Sequence, residues 1–213
     1  MILTFKQKAI LYGLVLGDGY LQKTGKKNAR LRLEQSQKQK AYLLWKIDAL
    51  TNLFNQKPVE IQRKYPNGQI YNYCRVQSNA SPFLGKIRQD FYRNERKILP
   101  NNLGKYLKIP LTLAVWYMDD GYYDVNDKSA HIYLAKYQSA ELNQLSTFFQ
   151  RNFGIKPKYY CRPDRESCQL NFTGKNFEKL VQIIKPNIIS SMKYKLPLDP
   201  VTTESKKIDR FEA

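Results

Sequence analysis

Leu11-Tyr12-Gly13-Leu14-Val15-Leu16-Gly17-Asp18-Gly19 and Leu113-Ala114-Val115-Trp116-Tyr117-Met118-Asp119-Asp120-Gly121 are the two stretches that decide the fold. Each is an apolar run of helical character that ends in Asp-Gly, and the aspartates Asp18 and Asp120 stand 102 residues apart. Later landmarks recur in the same order: Lys57-Pro58 with Lys156-Pro157, Phe83 with Phe177, and Lys97 with Lys195. Matches in one order with slowly drifting offsets are what a duplicated unit with small loop changes leaves behind.

Each unit reads as helix, hairpin, helix, hairpin, helix. In the first, residues 6–17 form the opening helix, with Gly19 as a left-handed stop. Arg30-Leu31-Arg32-Leu33-Glu34 alternates polar and apolar, as a half-buried strand does. Residues 38–55 place Leu43, Leu44, Ile47, Leu50 and Leu53 on one helical side. Strands at 59–64 and 70–77 flank the turn Pro66-Asn67-Gly68, and 81–94 is helical. Ile98 to Asn102 reads as a linker, and Pro110 stands where proline suits the start of the second motif helix. Helices at 139–153 and 175–184 repeat the scheme, and the tail beyond Lys195, with Pro197 and Pro200, is extended. The division expected is 1–98 and 111–198 for the two halves, 99–110 for the linker and 199–213 for the tail.

Strand alternation then assigns faces. Leu31, Leu33, Val59, Ile61, Cys74, Val76, Ile132, Leu134, Cys168, Leu170 and Phe172 fall on the core side. The opposite side carries Arg30, Arg32, Glu34, Gln62, Lys64, Tyr73, Arg75, Gln77, Lys158, Tyr160, Arg162, Gln169 and Asn171. A plain solvated sheet face is also polar, but this one has six cations and one acid, and its Arg, Lys, Gln and Asn are the side chains that contact phosphates and base edges.

The charge of the whole chain points the same way. Thirty-six Lys and Arg against 18 Asp and Glu give +18, an excess that suits a polyanionic partner. Nucleic acid is expected; a membrane is not, because no apolar run approaches a bilayer's thickness and the N-terminus does not read as a signal peptide. Cys74, Cys161 and Cys168 are odd in number and lack metal-site spacing, so they are expected as reduced thiols in a reducing, intracellular compartment. The wealth of Lys, Asn and Tyr fits an A+T-rich genome such as that of an organelle or a phage. The single histidine, His131, excludes histidine-rich metal sites and His-based triads; it reads as an ordinary strand residue. Any chemistry must run on carboxylates, lysines and bound metal.

The two nonapeptides resemble the motif of the LAGLIDADG homing endonucleases, in their single-chain, two-motif form. Pro100-Asn101-Asn102-Leu103 and Met192-Lys193-Tyr194-Lys195-Leu196-Pro197 extend the likeness over roughly residues 8–198. The resemblance implies an α+β fold of two pseudo-symmetric αββαββα halves, with motif helices at a pseudo-two-fold axis and saddle-shaped antiparallel sheets in the DNA major groove. It implies metal-dependent hydrolysis of both strands of a long asymmetric site in double-stranded DNA by a monomer. By motif position, Asp18 and Asp120 correspond to the metal-binding acids, helped by the carbonyls of Gly17 and Asp119. Lys97 and Lys195 correspond to the basic residues of the two centres, and Glu34 to a polar active-site residue. The matching position of the second half is Ala135, so unequal cutting of the two strands is expected. Val115 and Asp119 depart from the small residues that the family prefers between the helices.

The chemistry suits these residue types. Hydrolysis of a phosphodiester builds charge on the attacking and leaving oxygens, and divalent ions held by carboxylates stabilise both. Mg2+ takes oxygen ligands and needs only one or two carboxylates; Mn2+ is expected to substitute, and Ca2+ to bind without efficient turnover. The acid and the lysine lie 79 residues apart in the first half and 75 in the second, which reads as one centre per half. An Asp-Gly after an apolar helix is commonly a mere cap and turn; two in register are harder to explain so. An RNA-splicing maturase, or a non-cleaving DNA binder, on the same scaffold is the alternative.

Overall fold

The structure is a computed structural model and describes residues 2–135, 137–161 and 167–197. The first half runs α1 (Phe5–Leu16), β1 (Tyr20–Lys23), β2 (Ala29–Ser36), α2 (Lys40–Ala49), β3 (Val59–Lys64), β4 (Ile70–Gln77) and α3 (Pro82–Phe91). A small hairpin, β5 (Tyr92–Arg93) with β6 (Arg96–Lys97), and the short helix α4 (Leu103–Leu107) follow. The second half repeats the order: α5 (Pro110–Asp120), β7 (Gly121–Asp124), β8 (Ser129–Ala135), α6 (Ser139–Phe153), β9 (Lys158–Cys161), β10 (Ser167–Phe172) and α7 (Gly174–Ile184). Two antiparallel sheets result, ordered β1-β2-β4-β3 and β7-β8-β10-β9. The strand that leaves each motif helix is therefore the edge nearest that helix, and each motif aspartate is fixed at the junction of a helix end and a sheet edge.

Local chemistry explains the boundaries. Thr4 caps α1 reciprocally with Gln7, a capping box that satisfies two orphan donors. Pro110 opens α5. Gly154, at φ +63°, ends α6 in the left-handed region. Gly19 does not act as expected: its φ is not positive. It is glycine for room, because its N–H reaches Leu14 O at 2.7 Å and a Cβ would stand 2.5 Å from the same oxygen.

The core gathers the sheet faces and the motif helices, with Leu31, Leu33, Cys74, Val76, Ile132, Leu134, Cys168, Leu170 and Phe172 buried as the alternation predicts. Three expectations fail. Val59 is exposed, and Ile61 is only half-buried. In α2, Leu44 is exposed while Lys46 is wholly buried, because Lys46 meets a buried acid that apolar periodicity does not register. The cysteines are not all thiols: register places Cys161 opposite Cys168 in β9 and β10, and the two form a disulfide. Cys74 alone is free, and the cysteine count loses its force as an argument for a reducing compartment. Among the described residues no helix is long and apolar enough to cross a membrane.

Candidate active site

The motif helices touch along their length. Ala9, Gly13 and Gly17 recur every fourth residue and so share a face of α1 and its cap. Opposite them stand Thr112, Val115 and Asp119 of α5. Thr112 Oγ1 donates to Ala9 O at 3.0 Å. A Cβ on Gly13 would lie 2.6 Å from Val115 Cβ, and one on Gly17 2.6 Å from Asp119 Cβ. The larger residues of the second motif are therefore accommodated because the first motif supplies the small ones; close approach survives the departure seen in the sequence.

At the bottom of this interface Asp119 turns inward. Its Oδ1 lies 2.6 Å from Lys46 Nζ with neither side chain exposed, and its Oδ2 accepts the Asp18 N–H at 3.1 Å. Burial pushes the Asp119 carboxyl up, and Lys46 pulls it back. Lys46 also lies 4.0 Å over the Tyr42 ring, whose hydroxyl donates to Val115 O. The carboxylate of Asp119 is thus engaged within the protein, and only its carbonyl faces the site.

Of the two motif aspartates, one is open and the other, Asp120, is half-buried. Asp18 is exposed and accepts Gln35 Nε2 on Oδ2 at 2.9 Å. Asp120 accepts Trp116 Nε1 on Oδ2 at 3.2 Å. Burial pushes the Asp120 carboxyl up to about 8; the charges of Asp18 and Asp119 add to this, and Lys97 opposes it. Among the described residues no donor meets the Oδ1 of either acid.

The lysines cap the helix ends. Lys97 Nζ donates to Gly17 O at 2.6 Å, and Lys195 Nζ to Met118 O at 2.7 Å and Asp119 O at 2.9 Å. Cations at a helix C-terminus are favourable. Burial depresses both ammonium groups below the usual lysine range, and the three aspartates counter it in part. Lys97 lies with Asp120, Gly17, Leu134 and Tyr137 around a cavity of about 240 Å³. This lysine of the first half is thus bonded beside the acid of its own half and also lines a cavity with the acid of the second.

Glu34 is not at this site. Its side chain lies on the open sheet face, bound by Arg63 at 2.5 Å and Arg75 at 2.7 Å, with Arg32 at 3.4 Å. The residue that reaches Asp18 is Gln35, which is 5% exposed. The signal for it was a glutamine on the core-side parity of β2, following Leu31 and Leu33. Pairing of Tyr20 with Arg32 and of Tyr122 with His131 makes Tyr133, not Ala135, the counterpart of Glu34, and Leu134 the counterpart of Gln35. One acid has a polar neighbour there, and the other has a leucine.

The open face of the first sheet carries Arg30, Arg32, Glu34, Tyr73, Arg75 and Gln77, as expected. On β3 the assignment slips by one: Ile61 pairs with Tyr73 and Arg63 with Tyr71, while Gln62 pairs with Asn72 and Lys64 with Ile70. Cross-strand partners share a face, and a slip of one residue exchanges the faces. Gln62 and Lys64 therefore point away, and Arg63, missed in the sequence, points in. The second sheet presents Lys158, Tyr160, Gln169 and Asn171, and also His131, bonded to Asn171 at 2.8 Å. Arg162 and the 199–213 tail lie outside the described residues.

A family model described as "LAGLIDADG DNA endonuclease family" matches residues 8–186. A cytochrome b mRNA maturase bI2 from Debaryomyces hansenii is 28% identical over 191 residues, 88% of this chain and 72% of the relative. A probable intron-encoded endonuclease 1 from Wickerhamomyces canadensis is 28% identical over 199 residues, covering 89% and 83%. Among solved structures, the homing endonuclease I-WcaI bound to its DNA recognition sequence superposes with a TM-score of 0.84 at 25% identity, over 94% of this chain and 89% of that one.

Proposed function

The chain belongs to the LAGLIDADG DNA endonuclease family, and on that basis we propose that it is a site-specific homing endonuclease that breaks both strands of a long asymmetric DNA target as a monomer. The observation that carries this reading is the convergence of Asp18 and Asp120 at the ends of two touching helices, between two sheets whose open faces are rich in cations. Two motifs in one chain supply both acids, so no second copy is required.

The donor set fits a divalent cation of the Mg2+ class. Among the described residues each aspartate keeps one oxygen without a protein donor, and hard cations of this class are held by one or two carboxylates with waters and phosphate oxygens completing the shell. Asp18 and Asp120 would hold the ions, with the carbonyls of Gly17 and Asp119 beside them. Bound there, the metal supplies Lewis-acid stabilisation of the charge that hydrolysis creates; Mn2+ is a substitute of the same class, and Ca2+ a ligand that holds DNA without efficient turnover. Lys97 and Lys195 place fixed positive charge at the helix ends that face the scissile phosphates, pre-organised by their carbonyl bonds. Gln35 orients Asp18 by its 2.9 Å bond. The open sheet faces position the duplex through phosphate contacts and read base edges.

The test is incubation of the folded protein with a supercoiled plasmid library of candidate sites, with Mg2+ or with EDTA. Linear product restricted to a family of related sites, and absent in EDTA, is expected; an uncut library opposes the reading. The likeness to a maturase favours a second reading, binding of intron RNA, which retention of a host intron transcript in a filter assay without DNA cutting would support.

A further inference from the structure

The open faces of the two sheets differ most where their topology is most alike. Glu34 stands opposite Arg75 in the β2–β4 pair, and Tyr133 stands opposite Gln169 in the β8–β10 pair. Tyr20 and Tyr122 both follow Asp-Gly and pair with Arg32 and His131, so Glu34 and Tyr133 are equivalent positions, and so are Arg75 and Gln169.

In the first sheet Glu34 gathers guanidinium groups. Arg75 gives it Nε, Arg63 approaches its other oxygen and lies over the Tyr73 ring at 5.0 Å, and Arg32 completes the set. The Arg75 side chain is a quarter exposed, and among the described residues neither of its Nη groups has an acceptor. A guanidinium that is fixed through Nε and offers its Nη pair matches the O6 and N7 acceptors of guanine in the major groove. Pre-organisation through Glu34 also reduces the ordering cost of a long side chain on binding. Across the pseudo-dyad the same place holds an amide, and a glutamine is matched to N6 and N7 of adenine.

We propose that Arg75, held by Glu34, reads a guanine in the half-site under the first sheet, and that Gln169 reads an adenine at the pseudo-symmetric base pair. The target is then asymmetric at that pair of positions. The inference rests on the DNA-binding reading above and adds base identity to it.

Selection of a random duplex library on the full chain, with Ca2+ in place of Mg2+ and sequencing of the bound fraction, tests it. The wild type is expected to enrich guanine at one position and adenine at its dyad mate. Arg75→Gln should lower the guanine preference roughly 5- to 150-fold, the range expected for one bidentate contact, and bring adenine in its place. Glu34→Gln should relax the same preference while raising affinity for unrelated duplex, because it removes a negative charge near the phosphates; a merely misfolded variant loses both. Unchanged base frequencies in Arg75→Gln, with affinity lowered evenly across sequences, overturn the assignment and make Arg75 a phosphate contact. Retention of every duplex without base preference by the wild type also overturns it. Retention of no duplex at all removes the DNA-binding reading itself.

Discussion

Replacing Lys46 by Met should unfold the protein more readily than any surface change. Lys46 Nζ stands 2.6 Å from Asp119 Oδ1 with neither side chain exposed, so the variant leaves a buried carboxylate that has lost its cation, keeps the Asp18 N–H and the neighbouring Tyr42 hydroxyl, and faces the charge of Asp18. Breaking one side of such a buried pair costs about 3–5 kcal/mol. For a chain of this size that is a fall in Tm of roughly 6–20 °C. The sign with pH follows from the raised Asp119 carboxyl: a group whose folded pKa exceeds its unfolded one loses stability as pH rises between the two. The deficit of Lys46→Met against wild type should therefore widen from acid towards neutral pH. Urea titrations followed by circular dichroism at several pH values measure it. The double variant Lys46→Met/Asp119→Asn removes both charges and keeps an acceptor for the Asp18 N–H, so it should recover most of the loss. A single variant within about 1 kcal/mol of wild type, far below the cost of an unpaired buried charge, or a double variant no better than the single, refutes the reasoning.

Other outcomes follow from the site. Asp120 is pushed up to about 8 from an ordinary 3.8, so across that window the metal-free protein should lose stability as pH rises; Asp120→Asn should flatten the difference curve, and an unchanged slope counts against the burial of Asp120. Mg2+ needs the ionised carboxylate, so its binding, followed by calorimetry, should tighten as pH rises towards about 8 and release protons. Gln35→Leu should make the two centres alike at that position and slow one strand, seen as accumulation of nicked plasmid; equal slowing of both strands contradicts the one-sided placement. Gly17→Ala puts a Cβ 2.6 Å from Asp119 Cβ and should cost about 1–3 kcal/mol by overpacking, read from the denaturation midpoint; a neutral result means that the helices yield.

Much of this fold was legible because the signals were local. The turn Pro66-Asn67-Gly68 fixed β3 and β4 at 59–64 and 70–77, and Pro110 marked the start of α5. What escaped depends on partners far along the chain. Lys46 reads as the solvated side of a helix until Asp119, 73 residues later, is placed against it. The face of β3 depends on its pairing with β4 rather than on its own alternation, which is why Gln62 and Lys64 were set on the wrong side and Arg63 was missed. Asp18, Asp120, Lys97 and Lys195 stand out through the repeat, but repeat spacing does not show that Lys97, bonded to Gly17 O, also lines a cavity with Asp120. Gln35 was hidden by the polar Glu34 next to it.

Asp18 and Asp120 are proposed to cut jointly a duplex held by the two sheets. Cleavage of a selected target by Asp18→Asn and Asp120→Asn, with strand-specific labels and binding measured in parallel, tests it most directly. Loss of double-strand breaks in both variants, with binding largely kept, is the expected result. Wild-type cutting by either variant would contradict it.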